Sequence, residues 1–476
     1  DPGPGSPHRH RPAIAPVGNS RAIAAGDKAK SSSREERQVT AMHPTRTSNN
    51  PKQDQDRSQI EPTESESQQS AITAKLKNSK RKVILVANTS WYLYNFRLPL
   101  LKDLTEAGYK VEAIAPHDEY THLIEKQGIK VHHWIVARSS INPLLELHAL
   151  IDLAKLYLRE KPDLVHHFTI KACIYGTIAA KSSRTYRVIN SITGLGHIFL
   201  GRRKRTRLLR RALKPVYKAV FSARRSTVVF QNSEDQERLI KLGITDGERA
   251  RLIRGSGVDI EHFKPTEDTA GRFHTPIKLL FPSRLIKEKG IYEALEACRT
   301  LWESGEDLEL LIAGDIDQGN RSSLSEKDLT FLQRDSHIKL LGHVEDMRSI
   351  YAESDIVILP SWREGLSRAL IEAAAMERVI ITTDVPGCRD VIEHGESGLL
   401  TTRNNSRSLE LAIRLLIQQP ELARKFGKQA RTRVLNEFQV SMVNERTLAQ
   451  YSELFEKQER TSWLSKRLHH NFFFER

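Results

Sequence analysis

Residues 82–115 read KVILVANTSWYLYNFRLPLLKDLTEAGYKVEAIA and contain the pattern from which the fold class is predicted. Val83 to Ala87 form a continuous apolar run, which is typical of a strand buried on both faces of a sheet. A helical pattern follows and ends at Gly108, and a second apolar run, Val111 to Ala115, comes directly after it. A strand, a helix and a strand in this order predict a βαβ unit with parallel strands.

The same alternation continues along the rest of the chain. Further strands of the first half are predicted at Leu164-Val165, Val188 to Ile192 and Thr227 to Phe230, with helical patterns at 143–158 and 172–180. Strands of the second half are predicted at Lys278 to Phe281, Leu308 to Ala313, Ile338 to Leu341, Ile356 to Leu359 and Val379 to Thr382. We therefore predict an α/β protein with two doubly wound, Rossmann-like domains that face each other across a cleft.

The domain boundaries follow from changes in composition. Residues 1–80 are rich in Pro, Ser, Gln and charged residues without apolar periodicity, which predicts a disordered extension. The two Rossmann-like domains are predicted at 81–255 and 270–435, with a linker at 256–269 and a C-terminal helix and tail at 436–476. Because ligands of open α/β sheets bind at the carboxyl ends of the strands, we expect function in the loops that face the cleft.

The composition excludes several classes of protein. The 476 residues include 74 Lys and Arg against 59 Asp and Glu, and 39% are apolar, as in a globular protein with excess positive charge. Cys173, Cys298 and Cys388 lack CxxC or clustered-His spacing, so neither a disulfide framework nor a zinc finger is expected. No stretch approaches the roughly 18 apolar residues of a spanning helix. We expect a cytoplasmic protein, soluble or peripheral to a membrane.

The loop after the Ile356 to Leu359 strand carries two glutamates, Glu364 and Glu372. The backbone N–H groups between them that could hold an anion at the start of a helix belong to Gly365, Leu366 and Ser367. If the interval is helical, the glutamates lie about 12 Å apart, which is the span of a sugar diphosphate. The pair suits a nucleotide sugar, with Glu372 on the ribose and Glu364 on the hexose. The alternative is that both are solvated surface residues.

The first strand of the same half ends in a basic loop, FPSRLIKEKG at 281–290. Arg284 and Lys289 could hold a diphosphate, Arg through its planar fork and Lys as a point charge. A cation in a loop is usually only solvated. The presence of two such loops on adjacent crossovers of one domain favours a binding function.

Together these motifs resemble the retaining GT-B glycosyltransferases of family four, over residues 82–440. The motifs that carry the resemblance are Ser283-Arg284-Leu285 with Lys289-Gly290, Gly255 to Asp259, the glutamate pair, and Asp384 to Asp390. The resemblance implies that the C-terminal domain binds a nucleotide-sugar donor, with Arg284 and Lys289 on the diphosphate and Glu372 on the ribose. It also implies that Glu364 faces the donor sugar and that catalysis needs neither a metal nor a cofactor.

The N-terminal half is similar to a narrower branch of that family, the bacterial enzymes that extend lipid-diphosphate-linked sugars. The loop from Asn88 to Arg97 and the segment from Arg138 to Pro143 carry this resemblance. It implies a lipid-linked saccharide acceptor, a UDP-sugar donor and a role in polysaccharide or glycan biosynthesis. The acceptor-side candidates are Asn88, Trp91, Tyr94, Asn95, Arg97, His166 and Thr193.

The sequence departs from the family after the Val188 to Ile192 strand. Thr193 stands where many members have a histidine, which puts a catalytic histidine at that place in doubt. His166 and His197 are the alternatives, and a purely structural role for either is open.

A basic segment, Gly201 to Arg225, contains eleven Lys and Arg and no acidic residue. The apolar residues that recur in it as one helical stripe are Leu208, Leu209, Ala212, Leu213, Val216, Tyr217, Val220 and Phe221. Such a helix can lie on an anionic membrane surface, here the inner face of the cytoplasmic membrane. The cations expected to contact the membrane are Arg202, Arg203, Lys204 and Arg205. The alternative is a core-packed helix with a solvated basic face.

Three patterns in the sequence partly resemble the motifs of other functions. Asp315-Ile316-Asp317 has the form of a DxD metal motif, but it follows a strand of a Rossmann-like half, so no metal is expected there. Gly194-Leu195-Gly196 lacks the third glycine and the acidic partner of a dinucleotide fingerprint. The basic segment lacks interleaved aromatics apart from Tyr217, so no nucleic-acid partner is expected. A sugar-nucleotide epimerase or another GT-B enzyme remains an alternative, because fold alone does not decide function.

Overall fold

The computed structural model describes residues 81–137, 140, 142–185, 187–195, 204–223, 226–265, 273–317, 320 and 322–473, without the side chains of 204–206 and 457–473. Several predictions lie outside the described residues: the extension at 1–80, His197, Arg202, Arg203 and the side chains of Lys204 and Arg205.

The first domain is built on a parallel sheet, which has seven strands within the described residues, in the order β3-β2-β1-β4-β5-β6-β7. These strands are β1 (Lys82–Val86), β2 (Lys110–Ala115), β3 (Lys130–His133), β4 (Leu164–Phe168), β5 (Arg187–Ile192), β6 (Ser226–Phe230) and β7 (Ala250–Leu252). The helices between them are α1 (Ser90–Glu106), α2 (Thr121–Glu125), α3 (Pro143–Glu160), α4 (Ile170–Ser182), α5 (Lys204–Phe221) and α6 (Ser233–Lys241).

The second domain repeats this plan with a parallel sheet that has six strands in the described ranges, in the order β10-β9-β8-β11-β12-β13. Its strands are β8 (Ile277–Phe281), β9 (Leu308–Ala313), β10 (Ile338–Gly342), β11 (Ile356–Leu359), β12 (Val379–Thr383) and β13 (Leu399–Thr401). Its helices are α7 (Ile291–Glu303), α8 (Glu326–Leu332), α9 (Arg348–Glu353), α10 (Arg368–Ala375), α11 (Ser406–Gln418) and α12 (Pro420–Glu437). A long last helix follows as α13 (Val440–Phe473).

The two sheets confirm the predicted fold class. Each apolar run that was predicted to be a strand is a strand, because both faces of a parallel sheet are covered by helices. Ile84 and Val86 pack under α3 and α4, whereas Val83 and Leu85 pack under α1 and α13 on the opposite face. The prediction missed β3, β7 and β13, which are short outer strands without a continuous apolar run.

The segment from Asn88 to Arg97, expected as a loop, is mostly helical. The helix α1 begins at Ser90, and the Thr89 hydroxyl accepts a 3.2 Å hydrogen bond from the Tyr92 N–H. A threonine that caps the first turn in this way satisfies a helix donor that would otherwise be unpaired. The expected loop is therefore wrong, and Trp91, Asn95 and Arg97 lie on the first turns of a helix.

The last helix returns to the first domain. Val443, Tyr451 and Phe455 of α13 are buried in the core cluster of the first sheet, and the Asn444 amide donates to Asp103 at 2.7 Å. The chain thus crosses between the domains twice, at Val258 and again before α13, and the two crossings are hydrogen-bonded to each other. Among the described helices, none combines the length and the apolar character needed to cross a membrane.

Candidate active site

A cleft with a volume of about 790 Å³ lies between the carboxyl ends of the two sheets. It is lined by loops of both domains, as the doubly wound topology predicts. The predicted residues that line it are Trp91, Thr193, Ser283, Arg284, Lys289, Glu364, Leu366, Ser367 and Glu372. The fold therefore brings the two predicted loops of the second domain to one site.

Both predicted cations of the basic loop are paired with carboxylates. Arg284 Nη1 lies 2.5 Å from Asp317 Oδ2, and Lys289 Nζ lies 2.5 Å from Glu364 Oε1. Asp317 belongs to the segment that has the form of a DxD motif, and its carboxylate binds a guanidinium here. A diphosphate in the cleft would compete with Asp317 and Glu364 for the same two cations.

Two glycines allow the loops to approach one another closely. Gly290 has φ +80°, and a Cβ added to it would lie 2.1 Å from the carbonyl oxygen of Pro360. Gly314 has φ +155°, and its Cβ would lie 2.1 Å from the carbonyl oxygen of Ser283. Any side chain at either position would separate the basic loop from its neighbours.

The turn before α10 offers fewer backbone donors than expected. The Ser367 N–H donates to the carbonyl oxygen of Gly387 at 3.1 Å, so the expectation that it is available for an anion is wrong. This hydrogen bond holds the turn before α10 against the loop that contains Gly387. Within the described residues, nothing accepts a hydrogen bond from the N–H of Gly365 or Leu366. These two amides remain candidate anion donors.

The two glutamates have different surroundings. Glu364 accepts hydrogen bonds from Lys289 and from the Ser361 hydroxyl at 2.7 Å. Glu372 lies inside α10, where burial raises the pKa of its carboxyl, although hydrogen bonds from Arg368 and Tyr351 offset part of that rise. Because α10 begins only at Arg368, the helical estimate of their separation does not apply.

Arg368, which the sequence reading missed, connects the two domains at the cleft. Its Nε donates to Glu372 at 2.7 Å, its Nη1 donates to the carbonyl oxygen of Asn95, and its guanidinium lies 5.1 Å from the Phe96 ring. The available signal was an arginine four residues before a glutamate on one helix face. Arg368 thus holds a predicted donor-binding carboxylate against the first domain.

The opposing loops also meet directly at Gly365. The Asn232 amide donates to the Gly365 carbonyl oxygen at 2.7 Å, and a Cβ added to Gly365 would lie 2.0 Å from the carbonyl oxygen of Thr193. Nearby, Arg363 and Asp235 approach within 3.7 Å, and burial raises the pKa of the Asp235 carboxyl. The loop after β5 and the loop before α10 therefore touch through backbone atoms.

Of the acceptor-side candidates on and before α1, only Trp91 is among the described residues that line the cleft. Trp91 lines it with 40% of its surface exposed, and Tyr94 packs on Tyr120 at 5.6 Å between ring centroids. The Asn95 amide donates to the Trp91 carbonyl oxygen within α1. Asn88, Tyr94, Asn95 and Arg97 are not among the described residues that line the cleft.

His166 is a buried residue in the middle of β4, the central strand of the first sheet. It is 2% exposed, and its two ring nitrogens lie 2.6 Å from the Tyr451 hydroxyl and 2.7 Å from the Ser191 hydroxyl. Burial, together with the nearby charge of Arg97, lowers the pKa of His166 well below its usual range. The placement of His166 on the substrate side is therefore corrected, since a neutral ring with both nitrogens engaged does not reach the cleft.

A second cluster of ionisable groups lies at the amino ends of the strands, on the far edge of the first sheet. Glu112, His132 and Glu160 offer potential metal-ligating atoms within 4.8 Å of one another. Lys82 Nζ lies 2.8 Å from Glu112 and 2.7 Å from Glu160, so an ammonium group already neutralises these carboxylates. We assign no metal to this cluster.

The basic helix α5 does not bury its whole apolar stripe. Tyr217, Val220 and Phe221 are buried against the sheet, but Leu208, Leu209 and Val216 are exposed. The helix α3 exposes five large aliphatic side chains, which the sequence did not predict: Leu144, Leu145, Leu147, Ile151 and Leu158. Both helices pack on the same face of the first sheet, on either side of α4.

Comparisons with known proteins agree with this arrangement. Residues 82–233 match the family model described as "Glycosyl transferase 4-like", and residues 264–433 match "Glycosyl transferases group 1". The chain is 26% identical over 372 residues to a Campylobacter jejuni N,N'-diacetylbacillosaminyl-diphospho-undecaprenol alpha-1,3-N-acetylgalactosaminyltransferase, covering 76% of this chain and 96% of that one. It is 26% identical over 313 residues, 63% of this chain and 78% of the other, to an Escherichia coli UDP-Gal:alpha-D-GlcNAc-diphosphoundecaprenol alpha-1,3-galactosyltransferase. The fold is similar to that of Anabaena HepE, solved with UDP and glucose, with a TM-score of 0.64, 19% identity and coverage of 78% and 100%.

Proposed function

The chain belongs to the family-four glycosyltransferases of the GT-B fold, and from this premise we propose that it transfers a hexose or N-acetylhexosamine from a UDP-sugar to a lipid-linked saccharide. The bond between the anomeric carbon and the diphosphate oxygen breaks and UDP leaves. The oxygen of an acceptor hydroxyl forms the new bond with retention of configuration, and its proton passes to the departing diphosphate. Two relatives whose names specify diphospho-undecaprenol acceptors support this substrate class. The product would enter polysaccharide or glycan assembly.

The observation that carries the proposal is the convergence of two cations and two glutamates in the cleft. Arg284 and Lys289 would bind the diphosphate of the donor, where negative charge develops as the sugar departs. Glu372, which α10 holds against Arg368, would accept hydrogen bonds from ribose hydroxyls. Glu364, next to Lys289, would face the donor sugar.

The acceptor would enter from the first domain. Trp91 and Thr193 line that side of the cleft, and the exposed indole of Trp91 offers an apolar face for a sugar ring. Bringing Thr193 against the Gly365 turn would place the acceptor hydroxyl beside the donor and exclude water.

We further propose that the protein binds peripherally to the inner face of the cytoplasmic membrane through α3 and α5. In a parallel sheet each crossover helix begins at the carboxyl edge, so the first turns of α3 and α5 lie at the cleft edge of their common face. Leu144, Leu145 and Leu147 are exposed there on α3, and Leu208 and Leu209 on α5. Seven Lys and Arg and no acidic residue on α5 would attract anionic lipid headgroups. A lipid-linked acceptor could then reach the cleft from the membrane.

The experiment combines purified protein, native membranes and a panel of labelled nucleotide sugars. We expect label from a UDP-sugar to enter the lipid fraction, and we expect Arg284→Ala to lower turnover by about 10²- to 10³-fold through loss of charge stabilisation. Arg424→Ala, which removes a surface arginine paired with Glu421 on α12, is the matched control and should retain wild-type turnover.

Two outcomes would reject this proposal. Conversion of a nucleotide sugar to its epimer without labelled lipid would indicate the epimerase alternative. Full turnover in Arg284→Ala would reject the diphosphate assignment.

A further inference from the structure

Among the described residues of the first domain, two buried side-chain polar atoms have no hydrogen-bond partner. They are Nε of Arg97 on α1 and Oγ1 of Thr169, which directly precedes α4. Buried polar groups are normally paired, so each such atom needs a physical explanation. The two belong to neighbouring parts of the structure, because the Arg97 guanidinium lies 4.4 Å from the centre of the Phe168 ring, and Phe168 precedes Thr169.

Arg97 is a buried cation that lacks a carboxylate partner among the described residues. It is 4% exposed; Nη2 donates to the Tyr92 hydroxyl at 3.1 Å, and Nη1 donates to the Gly255 carbonyl oxygen at a long 3.4 Å. Its contact with the Phe168 ring compensates the charge only in part. A buried charge without a counter-ion destabilises a fold, which indicates that the charge serves another purpose.

Two of the residues that Arg97 contacts, Tyr92 and Gly255, line the cleft, and so does Thr169, which Arg97 is not seen to contact. These three residues are part of the cleft wall, opposite Arg284 and Lys289 of the second domain. Thr169 is also the residue before the 13-residue helix α4, and its side chain does not cap that helix. The first N–H groups of α4 and the positive end of its dipole therefore face the same corner as the unpaired hydroxyl.

We propose that Arg97, Thr169 and the amino terminus of α4 form an anion subsite for a phosphoryl group on the first-domain side of the cleft. The hydroxyl and the helix amides donate to phosphoryl oxygens, and Arg97 supplies the charge from behind Tyr92 and Gly255. The nearby His166 supplies none, since burial and the charge of Arg97 keep it neutral. If the proposed function is correct, the position opposite the donor cations assigns the subsite to the phosphate of the lipid-linked acceptor.

The first measurement uses inorganic pyrophosphate and does not require turnover. In an Arg284→Ala/Lys289→Ala background, which removes the donor-side cations, pyrophosphate should still raise the thermal unfolding midpoint of the full chain. Adding Arg97→Met or Thr169→Val should abolish that rise, and Arg97→Lys should retain part of it. Arg378→Met is the matched control, because Arg378 is a buried arginine that donates to the carbonyl oxygens of Ser354 and Met376 in the second domain.

A merely structural role for Arg97 gives a different result. Arg97→Met would then lower the midpoint without pyrophosphate and leave the pyrophosphate-dependent rise unchanged, which would overturn the proposal. We expect instead that the ligand-free midpoint is equal or higher, because an uncompensated buried charge is removed. Thr169→Val keeps the test valid if Arg97→Met does not fold.

Turnover measurements on variants with intact donor cations distinguish the two phosphate sources. An acceptor KM about tenfold higher in Arg97→Met, with the donor KM within about twofold, would assign the subsite to the acceptor phosphate. A higher donor KM would assign it to the donor diphosphate, and unchanged values of both would overturn the subsite. If the chain showed no transferase activity, the proposed function would be rejected, but the rise of the thermal midpoint with pyrophosphate could still be observed. Rejection of the function and rejection of the anion subsite are therefore distinguishable.

Discussion

At the scale of single residues, burial and hydrogen bonding together affect the pKa of a carboxyl group in the cleft, that of Glu372. The Glu372 side chain on α10 is mostly buried, with 13% of its surface exposed, and this burial raises the pKa of its carboxyl, whereas Arg368 and the Tyr351 hydroxyl favour the ionised form. A carboxylate held in this way has a fixed orientation and few alternative partners. It is therefore suited to accept hydrogen bonds from a pair of adjacent hydroxyls.

Replacing Glu372 by glutamine should mainly weaken donor binding. An amide keeps the shape of the side chain but loses the charge and one acceptor oxygen, which for hydrogen bonds to a charged group costs about 1.5–3 kcal/mol. Titration calorimetry with UDP should show a dissociation constant at least about tenfold higher, with a smaller change in kcat. Glu353→Gln, on the exposed end of α9, is the control. A normal UDP affinity in Glu372→Gln would contradict the ribose role.

At the scale of secondary structure elements, loops of opposing sheets define the site more than any helix or strand does. The turn before α10 touches the loop after β5 through Gly365 and Thr193, and its Ser367 N–H is bonded to Gly387 of the neighbouring loop. These contacts leave no space for a side chain at residue 365. Their effect is on how the two domains meet, because Gly365 lacks the positive φ that would make alanine strained.

Gly365→Ala should therefore lower turnover strongly but change the stability of the fold little. Its methyl group would overlap the Thr193 carbonyl oxygen of the other domain, so we expect turnover to fall by at least about a hundredfold, as a misplacement of about 1 Å does elsewhere. The thermal midpoint should change little. Gly247→Ala, where an added Cβ meets no neighbouring atom, is the control. Wild-type turnover in Gly365→Ala would show that this contact is not needed.

A network of ion pairs that includes Lys82, Glu112 and Glu160 lies at the amino ends of the strands. We expect it to affect how the stability of the fold changes at low pH. Burial alone would raise the pKa of Glu160, but hydrogen bonds from Lys82 and Arg159 lower it to about 2 from an ordinary value of 4.5. The ionised carboxyl therefore stabilises the fold fully above about pH 4.5, and this contribution is lost as the pH falls towards 2. Glu160→Gln should lose less of its thermal midpoint over that range than the wild type does.

The control for this pH series is Glu421→Gln, which changes an exposed carboxyl on α12. Its midpoint should fall with pH in parallel with the wild type. If Glu160→Gln also runs parallel to the wild type, the network does not carry the acid sensitivity.

At the scale of the whole molecule, one face of the first domain differs from the rest of the described surface. Of the exposed large apolar side chains, five lie on α3 and three on α5. Exposed apolar side chains gathered in this way commonly mark an interaction surface. Their position beside the basic residues of α5 fits an anionic lipid surface better than an apolar protein partner.

Replacing Leu144, Leu145 and Leu147 by serine should release the protein from anionic liposomes in a flotation assay. Each leucine that inserts contributes about 1.5–3 kcal/mol when fully buried, so the triple change should remove most binding. Neutralising Arg202, Arg203, Lys204 and Arg205 should weaken binding further, at about 1 kcal/mol for each cation. Leu411→Ser/Leu415→Ser on α11 is the control. Persistent flotation of both test variants would count against the membrane surface.

The sequence predicted the architecture well because the strands are buried on both faces. Strands of this kind are recognisable as apolar runs in the sequence alone, as at Val83 to Ala87, Leu308 to Ala313 and Ile356 to Leu359. It also identified the two loops that carry Arg284, Lys289, Glu364 and Glu372. Local composition contains this information, since a buried strand needs apolar side chains and a loop that binds an anion needs cations and glycines.

Other features depend on residues that are far apart in the chain, so they follow from the tertiary structure and not from any local sequence. The Tyr451 hydroxyl, 285 residues away in the chain, lies 2.6 Å from one ring nitrogen of His166, and no local pattern around His166 predicts this contact. The hydrogen bond from Arg368 to Asn95, the lack of a carboxylate partner for Arg97 among the described residues and the exposure of the α3 leucines leave no local sequence pattern either. Residue types and spacings thus determine which elements form and which groups are available. The packing of those elements decides which groups are paired, buried or exposed, because burial and ion pairing depend on three-dimensional distance.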